Sequence, residues 1–383
     1  MHIFVPREGK PGERRVAIVA DVVSKYVRAG FSVAVESGAG VHAQADDAAL
    51  TAAGATIVAA SGISSADVIL SVNPLTPEQF ASVKKGAITI SFLAPNQSLD
   101  SISAAAKAGA TAFSLELVPR ISRAQSMDAL TSQALCAGYR AALVAAELSP
   151  RFFPLLMTAA GTVTPANVVV LGAGVAGLQA IATARRLGAV VSAYDVRPAS
   201  ADEVRSMGAT FIDLKLEALE GAGGYAREMT EERAAKQREL LTPYLASADV
   251  VITTAAVPGR PAPRLVTEEM VAAMKEGAVV VDLAAESGGN VAGAKPGEIV
   301  EKSGVRIWGG KDVPSQLPFH ASQLFAKNCM NLLMLMVKNE EGKSSLHLDF
   351  EDEIIAASAV THHGEVRHEG AKAALSSASG GAQ

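Results

Sequence analysis

Cysteine is nearly absent from this 383-residue chain: there are two, Cys136 and Cys329, far apart and in apolar surroundings. Neither stands in a metal-binding or redox spacing. No zinc centre is supported, the setting reads as cytosolic, and both thiols are expected to be buried and inert. Long apolar runs are missing too. The run Asn331–Val337 falls far short of the ~18 residues a membrane helix needs, and Arg140 and Glu147 interrupt Ala134–Leu148. The opening, MHIFVPREGKPGERRVAIVA, has charges where a signal peptide needs an apolar core. Direct membrane insertion is therefore excluded, and any membrane role must come through a partner. There is no basic excess: the net charge is −5, which gives no electrostatic reason to expect nucleic acid. The seven histidines form no HExxH, no i,i+4 ligand pair and no Ser/His/Asp order, so neither a metal site nor a hydrolase is indicated. The adjacent His362 and His363 read as a surface pair.

What is present is globular. Hydrophobic residues make up 49% and charged residues 19%, and the length suits two domains. Strand and helix signals alternate from the start. Met1–Val5, Ser32–Glu36, Thr56–Ala59, Val68–Val72, Ala87–Phe92 and Thr111–Ser114 read as strands, and Asp21–Ala29 as a helix. This alternation implies βαβ units and a parallel sheet. From Ser132 to Leu148 an alanine-rich helix bridges to a second domain and stops at Ser149-Pro150, because proline disfavours helix at the residue before it. Strands then follow at Asn167–Leu171, Val190–Tyr194, Thr210–Ile212, Val250–Thr254, Ala278–Leu283 and Val305–Trp308. Ser322–Lys338 reads as a second long helix returning the chain to the first domain, and the tail AALSSASGGAQ as disordered.

The strongest local signal is VVVLGAGVAGLQAIATARRLGAVVSAYDVR, where Gly172-x-Gly174-x-x-Gly177 follows a strand and opens a helix. The first glycine permits a tight turn, the second lets the backbone approach a pyrophosphate, and the third packs helix on strand. The helix N-terminus offers free N–H groups and a positive dipole end to phosphates. The next strand ends in Asp195, where a carboxylate accepts hydrogen bonds from the adenosine ribose. Its charge would repel a 2′-phosphate, so NAD is favoured over NADP, although Arg197 two residues later is a group that accommodates such a phosphate. A glycine turn without a ligand is the bland alternative.

Two further segments stand out. Arg120, Arg123, Gln125, Ser126 and Asp128 place many polar groups between two apolar blocks. They are either a solvated linker or a surface that holds a nicotinamide ring, with Asp128 bonded to an arginine or the glutamine. Gly221–Gln237 runs from glycines to charges, and is either a glycine-hinged mobile excursion or a solvated helix with a loop before it.

RISRAQSMD, MTAAGTV, GAGVAGLQAIATARRLGA, DVR, AGGYA and AESGGN resemble the NAD(H)-binding component of the proton-translocating nicotinamide nucleotide transhydrogenases, and the resemblance runs over almost the whole chain. It implies a component outside the membrane that binds NADH and passes hydride directly to NADP+ on a partner subunit, with inward proton movement through a membrane-spanning subunit. It implies a homodimer, peripheral to the inner membrane on the cytoplasmic side, with NADP(H) held by the partner. Carried over by resemblance, Arg120, Gln125 and Asp128 orient the dihydronicotinamide. Thr131 stands where the family has a serine, and Tyr225 lies on a loop closing over the nucleotide, with Gly224 and Gln237 near it. Arg120, Ile121, Ser122 and Arg123, Val175 in the glycine turn, Asp195, Val196 and Arg197 at the ribose, and Ala256 complete the implied cofactor contacts. Direct hydride transfer needs no protein acid or base, so positioning is the chain's main contribution.

Alanine dehydrogenases are more distantly similar, through ERRVA and the glycine motif. Such an enzyme needs a proton-transfer group and a carboxylate clamp. The lysine of that pattern is replaced by VILSVNP, with Ser71 and Asn73, and its histidine run by ISFLAP, with Phe92. Arg15 remains, and Glu286 stands where those enzymes have an aspartate. A non-catalytic NAD-binding regulator would share the glycine motif but gives no reason for the RISRAQSMD segment. The expected architecture is α/β: two Rossmann-like domains with parallel sheets and a nucleotide in the cleft between them. Residues 1–133 with 322–383 form the first domain and 134–321 the second.

Overall fold

Short runs of β-branched and aliphatic residues set the strands. In chain order these are β1 (His2–Val5), β2 (Ser32–Glu36), β3 (Thr56–Val58), β4 (Val68–Leu70), β5 (Ile88–Ser91) and β6 (Thr111–Ser114). There follow β7 (Leu156–Thr158), β8 (Gly161–Val163), β9 (Asn167–Leu171), β10 (Val190–Tyr194), β11 (Thr210–Phe211), β12 (Val250–Thr253), β13 (Val279–Asp282), β14 (Ile299–Lys302) and β15 (Val305–Gly309). The last are β16 (Val337–Glu340), β17 (Lys343–Leu346), β18 (Ala359–His362) and β19 (Glu365–Val366). The structure, a computed structural model, describes residues 1–216, 230–256, 260–340 and 343–380. It divides into two units, Met1–Gln133 with Ser315–Gln383, and Ala134–Pro314.

In the first unit the sheet order is β19-β18-β6-β5-β4-β1-β2-β3. The strands from β6 to β3 pair in parallel, and β18 and β19 add antiparallel strands beyond β6. Alternate side chains feed two cores: Ile3, Val5, Val33, Val35, Val68 and Leu70 into one, Phe4, Ala34 and Ile69 into the other. Both faces are covered, as a parallel sheet requires. The second unit has the order β11-β10-β9-β12-β13-β15-β14, parallel except for the edge strand β14. Val168, Val170 and Val250 pack on one side, Val169, Leu171 and Val251 on the other. In both units the parallel strands, counted along the chain, lie in the spatial order 3-2-1-4-5-6, the doubly wound dinucleotide-binding arrangement.

Several boundaries differ from the sequence reading. The bridging helix spans Ala129–Leu148 and starts earlier than Ser132, because Asp128 caps it. The second long helix is Pro318–Leu335: Pro318 is pre-organised for a first turn, and the residues from Val337 leave to pair as β16 with β17. The tail is helical over Glu369–Gly380, against the expectation of disorder. Alanine is the best helix former, and Ala371, with Leu375 beside it, is anchored in the same core as Ile102 and Ala105. Among the described residues no helix is long and apolar enough to cross a membrane. Both cysteines are buried, and burial pushes the Cys329 thiol far above its ordinary range.

Candidate functional site

The glycine turn joins β9 to the helix Val175–Arg186, whose N-cap is Gly174. Gly172 has φ +97°, a left-handed conformation that disfavours any side chain. A Cβ on Gly177 would lie 1.9 Å from the Gly172 carbonyl oxygen, so the helix closes onto the turn only with glycine there. A Cβ on Gly174 would meet nothing within 4 Å. The middle position therefore faces open space where an anion can approach the backbone, and Val175 opens the helix, whose first N–H groups are the kind that bind anions. Strand order reverses between β9 and β12, so the turn sits at the carboxyl-end switch point where open α/β sheets take ligands.

Asp195 directly follows β10, and its carboxylate is largely enclosed. One oxygen accepts from the Ala173 N–H at 2.7 Å and the Arg197 Nη2 at 2.9 Å; the other accepts from the Arg197 N–H and Nε, both at 2.9 Å. The acid is thus tied to the glycine turn on one side and forked by Arg197 on the other. A ribose taking both oxygens must displace that fork. Val196 is partly buried against the adjacent core, and Ala256 is exposed beyond β12. Gln237 lies on the helix Glu231–Ser247, buried, its Oε1 accepting from the Tyr194 hydroxyl at 2.9 Å. It braces the end of β10 beside Asp195. Gly224 and Tyr225 lie outside the described residues, as does most of the Gly221–Gln237 excursion.

In the first unit, Ser122–Met127 forms a short 3-10 turn pinned by buried Ala124 and Met127 and by Asn328 and Asn331, whose amides donate to the Ser126 carbonyl at 2.9 Å each. Arg120, Ser122, Arg123 and Gln125 are exposed, and Ile121 is partly buried. Arg123 forks Asp352 at 2.6 and 3.1 Å. Both Asp128 oxygens are taken up by Thr131, one by its N–H at 2.8 Å and one by its hydroxyl at 2.7 Å. Asp128 thereby caps the bridging helix, a role aspartate fills well.

The first unit's own switch point, between β1 and β4, carries a different chemistry. Glu8 accepts from the Val72 N–H at 2.5 Å, the Asn73 N–H at 3.2 Å and the Asn73 side-chain amide at 2.9 Å. Asn73 also donates to Glu13 at 3.1 Å. Glu13 in turn holds Arg15 at 2.7 and 2.8 Å and accepts from Ser315 at 2.6 Å, while Arg15 reaches Gln133 at 2.9 Å. Burial raises the Glu8 carboxyl. Burial also works to raise Glu13, but the Arg15 hydrogen bonds and charge outweigh it and bring the acid down to about 2. Phe92 packs against Phe325 with the rings tilted by 50° and their centres 5.1 Å apart. Arg15, the candidate carboxylate clamp, is thus already paired, and Ser71, Asn73 and Phe92 offer no base. Glu286 is exposed and accepts from the Asp312 N–H at 2.9 Å.

Sequence reasoning passed over Thr254, Asp282 and Asn290, which tie the loops around the glycine turn together. The consecutive glycines of AESGGN were the visible signal.

Residues 4–137 match the N-terminal domain, and residues 141–369 the C-terminal domain, of the family described as alanine dehydrogenase/PNT. The chain is 50% identical to a NAD(P) transhydrogenase subunit alpha chain of Rhodospirillum rubrum, over 96% of this chain and 98% of that one. It is 33% identical to an alanine dehydrogenase of Mycobacterium tuberculosis, over 77% of this chain and 76% of the other. Its fold matches the crystal structure of a transhydrogenase from Sinorhizobium meliloti with a TM-score of 0.84 and 44% identity, covering 96% of this chain and 99% of that one.

Proposed function

The chain belongs to the alanine dehydrogenase/PNT family, and on that premise we propose that it is the NAD(H)-binding subunit of a proton-translocating NAD(P) transhydrogenase. It takes NADH on the glycine turn and Asp195 and passes hydride directly to NADP+ held by a partner subunit. A separate membrane-spanning subunit carries the coupled inward flow of protons, so the complex is active only when assembled and this subunit is peripheral, on the cytoplasmic side. The observation that carries the reading is a glycine-turn and Asp195 site on a chain similar end to end to a transhydrogenase subunit alpha chain, combined with a first unit whose Glu8, Asn73, Glu13 and Arg15 are committed to one another. Those groups leave no free side chain to transfer protons between carbonyl, imine and amine, which disfavours alanine dehydrogenase. In this reading Arg120, Gln125 and Thr131-capped Asp128 hold the dihydronicotinamide, Ile121, Ser122 and Arg123 frame it, and Tyr225 with Gly224 excludes water.

A homodimer fits the β7–β8 hairpin, which leaves Leu155, Leu156 and Met157 exposed, Met157 at 75%. Light scattering giving the mass of a single chain would remove that part. The functional test mixes the purified chain with an NADP(H)-binding component and follows reduction of NADP+ by NADH. Transfer is expected; tight NADH binding without transfer would favour a non-catalytic regulator.

A further inference from the structure

The AESGGN segment is built around a fully buried polar side chain, Asn290. Gly288 and Gly289 both have positive φ, +99° and +76°, and a Cβ on Gly289 would sit 2.9 Å from an Asp282 oxygen. Two left-handed residues in succession turn Asn290 inward. There its Oδ1 accepts from the Ala255 N–H at 3.1 Å, and its Nδ2 donates to the carbonyls of Ala255 and Pro263, both at 2.8 Å. The amide thereby uses an acceptor and both donors on the chain segment that follows β12. Asp282, at the end of β13, fixes the segment from below. It accepts from the Thr253 hydroxyl at 3.0 Å, the Ala284 N–H at 2.9 Å and the Val291 N–H at 3.1 Å. Thr254 then joins this assembly to the glycine turn, its hydroxyl donating to the Gly172 carbonyl at 3.0 Å.

The brace thus crosses the switch point, from the end of β9 to the ends of β12 and β13, and Asn290 holds its β12 side. Asp195 and β10 lie on the other side. In a doubly wound sheet the two halves each take one mononucleotide. The adenosine half belongs to Asp195, which leaves the β12 side for the nicotinamide half. Resting on the NAD(H) reading above, we infer that Asn290 is a positioning residue for the nicotinamide half of the dinucleotide, acting through the backbone at Ala255. It does not touch the cofactor; it fixes the wall against which the nicotinamide ribose lies. Asparagine is required because the same side chain must accept from one N–H and donate to two carbonyls.

Asn290→Ala leaves those three backbone groups without their partner and frees the wall. Titration with NADH and with ADP separates positioning from general damage, because ADP reads only the glycine turn and the Asp195 side. NADH is expected to bind ~10-fold more weakly while ADP stays within ~2-fold, a loss of the size expected for one buried polar group. Asn290→Asp, of the same shape but with an oxygen facing two carbonyls, is the second variant and should show the same split. Equal weakening of both ligands, or no change in either, would overturn the inference. Failure of the unaltered chain to bind NADH would instead overturn the functional reading on which it rests.

Discussion

Replacing Asp195 by asparagine keeps the shape of the proposed ribose acceptor and removes its charge. In the structure the carboxylate accepts four hydrogen bonds, one from the glycine turn and three from Arg197. A hydrogen bond to a charged acceptor contributes ~1.5–3 kcal/mol and one to a neutral acceptor ~0.5–1.5 kcal/mol. Two ribose hydroxyls therefore lose about 2 kcal/mol together. Against this, NADH no longer has to displace an arginine from a charged partner. The Arg197 side of that pair keeps some solvent exposure while the carboxylate is enclosed, which limits the offset to about 1 kcal/mol or less. NADH should bind roughly 5- to 30-fold more weakly to Asp195→Asn. NADPH should respond oppositely. The carboxylate that repels its 2′-phosphate is gone and Arg197 is released to meet it, so its affinity should rise ~10-fold. Equilibrium titration of cofactor fluorescence reads both constants. An NADH affinity unchanged within ~2-fold, or NADPH weakened in parallel with NADH, would refute the assignment of Asp195 and Arg197.

Other expectations follow from particular contacts. Asp128→Asn keeps a competent helix cap, so single-turnover hydride transfer should slow more than NADH binding weakens; equal losses would remove Asp128 from ring positioning. Gly177→Ala puts a methyl 1.9 Å from the Gly172 carbonyl oxygen, and calorimetry should detect no NADH binding alongside a stability loss of ~1–3 kcal/mol. Tyr225→Ala should speed NADH dissociation in stopped flow, and an unchanged rate would take that residue out of the account. The Glu13 acid is held at about 2 in the fold against an ordinary value of 4.5, so its stabilising contribution is complete above pH 4.5 and lost as pH falls towards 2. Glu8, raised by burial, contributes with the opposite sign. Melting curves of Glu13→Gln against the parent chain therefore isolate the Glu13 part, about 3 kcal/mol or less, and a parallel acid dependence in both would contradict it.

The strands and the glycine turn were legible because they rest on local rules. A β-branched run such as Val168–Leu171 buried on both faces, and a glycine triplet before a helix, carry their structure in a few adjacent residues. The misreadings came from tertiary contact. The tail looked too small and polar to order, yet Leu375 within it packs against a core made by residues far away in sequence. That Asp128 also caps the bridging helix was not visible, because polar clustering does not reveal which backbone N–H groups need a cap. The hairpin β7–β8 carries no period-two pattern with a buried face, since its strands are almost wholly exposed. Asn290 was hidden for the same reason as Glu8: a buried amide or carboxylate acquires meaning only when the backbone groups it satisfies are brought beside it.

The central claim is that this chain binds NADH and leaves the chemistry to a second nucleotide. It is tested most directly by adding pyruvate and ammonium to the purified chain after NADH binding has been confirmed, and following NADH oxidation. The account predicts saturable NADH binding without oxidation, with transfer beginning when an NADP+-loaded partner component is supplied. Turnover with pyruvate and ammonium alone would contradict it, and would mean an alanine dehydrogenase working with neither a lysine nor a histidine at Ser71, Asn73 or Phe92.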